Sequence, residues 1–191
     1  MDYENNCSQI NKMLKFAVLI CSLFSIQAFC QKIAWRDDLK LKWENFRSPV
    51  SRKNNAEVVA YTNCGWEYSV IKSSNPKAAI EFNIETIFNE DKSWKDAKRI
   101  NDYYLLHEQK HFDIAEIFAR KLRKEVKEKI KNSSDFDKYF KGIYNTISND
   151  YRNFQITYDK VTEHGINKEK QAEYNELISS ELENLKNFRT S

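Results

Sequence analysis

Glycine and proline are scarce in this chain, three and two among 191 residues. In a composition this rich in charge and aromatics, that scarcity excludes a linker or a disordered segment and predicts a compact, regular fold. A dominant charge sign is missing as well. Lys and Arg total 31 against 28 Asp and Glu, a net of +3, and no basic block is interleaved with aromatics, so no nucleic-acid partner is expected. Histidine is scarce as well, with three. Of the four cysteines, Cys7, Cys21 and Cys30 fall in the first thirty residues and Cys64 stands alone beyond them. Internal disulfides are therefore not expected in residues 31–191, and the fold must rest on its core.

One long apolar run occurs. "FAVLICSLFSIQAFC" follows Lys12 and Lys15 and ends at Ala28-Phe29-Cys30, which matches a secretory signal peptide in length and in the small residues before the cut. It is shorter than the roughly 20 residues of a spanning helix, so no stable membrane span is expected after cleavage. Asp2 and Glu4 are unusual ahead of such a run, and Met13 offers an alternative start. A lipoprotein reading through Cys30 fits less well, because Gln27 and Phe29 are not the small residues that precede a lipidated cysteine. The expectation is a signal peptide over 1–30, a single domain over 31–191, and a secreted or periplasmic location.

Hydrophobic period divides that domain in two. From Trp35 to Phe88 it is two: "LKLKWENF" places Leu39, Leu41 and Trp43 on one face, and "AIEFNIETIF" places Ile80, Phe82, Ile84 and Phe88 on one face, as half-buried strands do. "EVVAYTNCGWEYSVI" between them predicts two strands turning near Asn63 to Gly65. After Ser93, which with Asp96 suggests a capping box, the apolar step becomes three or four through Ile100, Tyr104, His107, His111, Ile114, Phe118, Leu122 and Val126, predicting one long helix. A second helix is expected through Phe136, Phe140, Ile143, Ile147, Tyr151, Phe154, Tyr158 and Val161, stopping at Gly165. A third should start at an Asn167 cap with Gln171, Tyr174, Leu177, Ile178, Leu182 and Leu185 inward. Strands first and helices after describe an α+β domain, a small antiparallel or mixed sheet followed by three helices.

The first helix carries "HEQKH". Residues four apart share a helix face, so His107 and His111 can direct two ring nitrogens at one cation, with Glu108 beside its open side. The competing reading, two hydrogen-bonded core histidines, fits a lone histidine better than this pair on an inward stripe with a carboxylate in place. Catalytic zinc takes three protein ligands and leaves a fourth position for water. Six residues after His111 stands Ile117, and Glu116 faces away from the histidines, so the third ligand comes from elsewhere: His164, or failing that Asp159.

"HEQKHFDIAEIFARKL" followed by "YDKVTEHGINKEKQ", with "SW" before the helix and "WENF" in the early strand region, resembles the predicted secreted zinc-dependent proteases of bacteria, a family also described as a domain of unknown function. The resemblance runs from about Trp35 to Leu185. It implies a zincin-like metallopeptidase with His107, His111 and His164 on Zn²⁺ and Glu108 as base. Tyr174 stands where the family's pattern has tryptophan, which touches the pocket's shape and leaves the ligands alone.

The expected activity is peptide-bond hydrolysis by a zinc-activated water, with Glu108 as general base and Tyr158 as a candidate oxyanion donor. Asp113 and Asp159 are candidates to accept the second ring N–H of a ligating histidine, and Gln171 to line the cleft or pack. The "AIEFNIETIF" strand is the expected edge for an extended peptide substrate. The alternative function is a non-catalytic, zinc-stabilised binding or envelope module, in which Glu108 would have no purpose.

Overall fold

The period-two half forms two antiparallel ladders. β1 (Lys32–Ala34), β2 (Ala60–Tyr61), β3 (Cys64–Ile71), β4 (Glu81–Asn89) and β5 (Trp94–Lys95) arrange as a three-stranded sheet in the order β1-β4-β3 and a β2-β5 pair. This computed structural model describes residues 31–50 and 58–190, all within one compact unit, Gln31–Ser191. The expected signal segment, 1–30, lies outside the described residues.

β4 alternates as its sequence requires up to Glu85, then is buried at every residue from Thr86 to Phe88. The change coincides with β1, which pairs Ile33 with Phe88 and Ala34 with Ile87 on the edge that β3 does not use. β4 is therefore interior to the sheet. The strand expected to offer a free edge has none, and β3 is an outer strand.

Two further expectations are corrected. Leu39 to Phe46 form no strand but an irregular segment ending in a 3₁₀ turn at Trp43–Asn45. Leu41 and Phe46 are buried there, while the Leu41 N–H bonds to the Gln109 side chain at 2.7 Å instead of to a neighbouring strand. Alternating apolar residues need only an extended chain lying on a core, and side chains can satisfy its backbone. The first helix, likewise, does not begin at Ser93. That residue is buried, donating its hydroxyl to the Asn89 carbonyl and accepting from the Asn63 N–H, which closes the turn into β5.

α1 (Asp102–Lys129) instead starts from Asn101, whose side chain accepts the Tyr104 N–H. α2 (Ser133–Thr162) and α3 (Lys168–Asn184) are capped in the same way by Asn132 and Asn167, each cap satisfying an otherwise unpaired N–H. α1 is the central element, packed against β3 and β4 and against both other helices. Its apolar face accordingly wraps most of the way round: Phe112, Ile114, Ala115, Ile117, Phe118, Ala119 and Leu122 are all buried. Leu177, expected inward on α3, is 45% exposed, because α3 has α1 on one side only and Ile178 fills that contact. Buried within this core, Glu116 accepts from Thr86 at 2.5 Å, Arg120 at 2.8 Å and Arg123 at 3.0 Å, so its carboxylate is fully committed away from the histidines. Among the described residues no helix is long and apolar enough to cross a membrane.

α2 ends in a left-handed turn, with Glu163 at φ 51°, His164 at 53° and Gly165 at 86°. A Cβ on Gly165 would lie 3.2 Å from both Cβ and Cγ of His107. This turn thus sets the backbone of Gly165 against the first histidine of α1 and His164 beside Asp159.

Candidate metal centre

His107 and His111 stand on the inward face of α1, and their Nε2 atoms are 3.1 Å apart. Oδ1 of Asp159, one turn from the end of α2, lies 3.2 Å from the first and 2.9 Å from the second. A tetrahedral zinc site with bonds of about 2.0–2.1 Å has ligand-to-ligand edges of about 3.3 Å. Three donor atoms already stand at nearly that separation, and together they form a group able to hold a metal ion.

Two glutamines decide the proton positions. Gln171 on α3 donates its amide to the Tyr158 hydroxyl at 2.8 Å and to Asn175 at 2.9 Å, so its oxygen faces His107 Nδ1, 2.9 Å away. Gln155 on α2 donates to the His111 carbonyl at 2.9 Å, which turns its oxygen to His111 Nδ1 at 2.5 Å. Both rings therefore carry hydrogen on Nδ1 and direct their Nε2 positions at each other and at a carboxylate. Such a convergence of acceptors repels itself unless a cation or a proton sits among them. Burial pulls the His111 pKa down, yet the Asp159 carboxylate outweighs it and holds the ring up at about 9. Asp159, despite burial that opposes ionisation, is kept well below the usual carboxylate range by His111 and its hydrogen bonds to the three histidines.

His164, the third ligand expected from sequence, lies at the rim of the same cluster. Its Nδ1 is 3.4 Å from Asp159 Oδ1, and its side chain is 43% exposed at the edge of the cavity. The hydrogen bond to Asp159 raises its pKa, with burial opposing. The compact triad is His107, His111 and Asp159.

Glu108 points into the same space. It is 5% exposed, and its Oε2 is buried without a hydrogen-bond partner. A buried carboxylate oxygen left unpaired is costly and calls for a ligand.

Tyr158 does not serve as expected. Its ring stacks on His107 with centroids 4.7 Å apart, and its hydroxyl donates to the His107 carbonyl at 3.2 Å while accepting from Gln171. Burial pushes its pKa far up, so the phenol stays protonated behind the histidine instead of facing the cavity as an oxyanion donor. Asp113 is also elsewhere, accepting from Trp35 and Gln109 at 3.0 Å each. The ring N–H groups go to Gln155 and Gln171. Of these, Gln155 escaped the sequence reading, although it shares a helix face with Asp159 at a spacing of four.

The cavity has a volume of about 530 Å³. One wall is α2, from Tyr144 to Asp159; the other is the extended chain from Val58 to Thr62 continuing into Cys64–Trp66 of β3; His107, Glu108 and His111 form one end. The α1 backbone is pinned beneath it. The Cys64 thiol donates to the His111 carbonyl at 3.3 Å, and the Tyr151 hydroxyl to the Cys64 carbonyl at 2.9 Å. An open cleft ending in two imidazoles, two carboxylates and a half-exposed third imidazole can bind a cation and move a proton beside it.

No curated protein and no solved structure matches this chain significantly. A family model does match, over residues 37–165, a span that takes in the whole of the donor cluster and Gln155 but stops short of Gln171. The chain belongs to the family described as bacterial protein of unknown function, DUF922.

Proposed function

We propose that this protein is a zinc-dependent metallopeptidase. His107, His111 and Asp159 would hold the ion, and Glu108 would act as general base. The observation that carries the reading is the Glu108 carboxylate, buried and unpartnered at one oxygen beside three converging donor atoms. When bound, zinc would supply Lewis acidity, acidifying a water and polarising a peptide carbonyl. Glu108 accepts the water's proton and passes it to the leaving amine, as a base within hydrogen-bond reach can. Asp159 and the two imidazoles hold charge in place, and Gln155 and Gln171 keep both rings in the tautomer that leaves Nε2 free. His164 braces Asp159 from the cavity side. The substrate is an extended peptide lying in the cleft, with the outer edge of β3 available for main-chain pairing.

Export belongs to the same proposal. It is tested by the first residue of the native protein, which should be Gln31; retention of residues 13–30 would count against it.

A zinc-stabilised binding module is the rival, and two features weigh against it. A structural site closes with a fourth protein ligand, whereas here the cluster opens on a cavity, and a purely structural site has no use for Glu108. Metal analysis of the purified protein should give about one zinc per chain, with Asp159→Ala losing affinity more steeply than His164→Ala. Glu108→Gln should keep zinc and fold yet lose cleavage of a mixed peptide library by at least about two orders of magnitude, the usual share of a general base. Equal cleavage by Glu108→Gln, or none by zinc-loaded wild type, would favour the binding module.

A further inference from the structure

The face of α2 that ends at Asp159 continues along the cleft through Gln155, Arg152 and Ser148, all lining the cavity. Arg152 is the one Lys or Arg among those lining residues. The other six arginines among the described residues each have a carboxylate partner: Arg36 with Asp38, Arg47 with Glu90, Arg99 with Asp96, Arg120 and Arg123 with Glu116, and Arg189 with Asp37. Arg152 has no such partner among the described residues, although the chain is rich in acids. Its guanidinium is a permanent cation shaped for two parallel bonds to a carboxylate. Of the carboxylates lining the cleft, Asp159 is engaged at the histidines and Glu108 is buried beside them.

Resting on the metallopeptidase reading, we propose that Arg152 selects peptides bearing a carboxylate about three residues from the scissile bond. Seven residues separate Arg152 from Asp159 on α2, about 10 Å along the axis at 1.5 Å per residue. An extended peptide advances about 3.3 Å per residue, so its third residue from the reacting carbonyl comes level with Arg152. Between the two, the opposite wall offers the apolar and aromatic surface of Val59, Tyr61 and Trp66, which fits intervening side chains without charge. The carboxylate comes either from an Asp or Glu side chain or from the end of the peptide chain.

The test compares wild type with Arg152→Ala, Arg152→Glu and Arg152→Lys, all zinc-loaded and checked for native circular dichroism. Peptides carry Asp, Glu, Ala or Lys at each position around the cut, with free or amidated C-termini. Cleavage products are read by mass spectrometry, and binding of the same peptides is read by fluorescence anisotropy on the Glu108→Gln background. Wild type should favour Asp or Glu at the third position by about tenfold over Ala, the order of one charge-assisted bond. Arg152→Ala should flatten that ratio, Arg152→Glu should invert it toward Lys, and Arg152→Lys should restore part of it. If the preference appears only with free C-termini at that distance, the chain end is the source; if it persists with amidated peptides, the side chain is. Cleavage or binding profiles identical across the four proteins overturn the selection while leaving the peptidase reading intact. Arg152-dependent binding without any cleavage by wild type does the reverse: it removes the peptidase reading and keeps the carboxylate selection.

Discussion

Two glutamine side chains do for the histidines what carboxylates often do elsewhere. Because each uses its amide N–H on a fixed neighbour, each must offer oxygen to a ring nitrogen, and the tautomer follows. Replacing Gln155 or Gln171 by Leu removes that constraint at nearly constant volume. Zinc affinity should fall about 10- to 100-fold in each variant, the usual cost of losing such a support, with isothermal titration as the check; unchanged affinity would mean the rings orient themselves. Cys64 yields a second prediction at this scale. Burial pushes its thiol up to about 12, so at pH 8 only about 10⁻⁴ of it is thiolate, the reactive form. Iodoacetamide should label the Cys64 peptide at least about 100-fold more slowly in the native protein than in guanidinium, and equal rates would contradict the raised thiol pKa. The His-Glu-x-x-His core was legible in the sequence because its geometry is local to one helix. Gln155 and Gln171 were not legible as ring partners, since they lie 44 and 64 residues from the rings they hold and carry no spacing rule that points to a histidine.

The turn at 163–165 matters most among the elements. It reverses the chain between α2 and α3 in three left-handed residues, and at Gly165 it presses backbone against His107. An alanine there meets both a disfavoured φ and a contact at 3.2 Å, and the imidazole has Tyr158 stacked on it and cannot easily retreat. Gly165→Ala should cost about 1–2 kcal/mol of stability from the backbone alone and lower zinc affinity with it. Thermal denaturation and metal titration together check this, and a loss of stability without any change in affinity would separate the turn from the site. Period and caps revealed the three helices and the end of α2 from sequence. They misplaced the start of α1, because Ser93 and Asp96 imitate a cap while Asn101 supplies it. They also gave Leu39–Phe46 a strand, since alternation reports burial and not pairing.

For the molecule as a whole, the donor cluster is a tie between elements. His107 and His111 come from α1, Asp159 from α2, and His164 from the turn beyond it, so a bound ion would cross-link the central helix to its neighbour. A ligand held at a hundred times its dissociation constant adds about 2.7 kcal/mol, which for a domain of this size raises the melting temperature by about 5–10 °C. Zinc should produce that rise in the wild type, EDTA should reverse it, and His107→Ala should show none; an equal rise in the variant would place the ion elsewhere. The α+β order was legible from the switch of hydrophobic period at Ser93. Which strand lies inside the sheet was not, because β4 owes its interior place to three residues of β1 that carry no pattern of their own. The separation of the site's parts along the chain also sets a sequence of events in synthesis. His107 leaves the ribosome 52 residues ahead of Asp159 and 64 ahead of Gln171. Until α2 has been made and docked, the rings lack their carboxylate and His111 lacks Gln155, and until α3 follows, His107 lacks Gln171. A growing chain therefore carries the motif without the centre, and any chemistry the centre supports waits until the fold is complete.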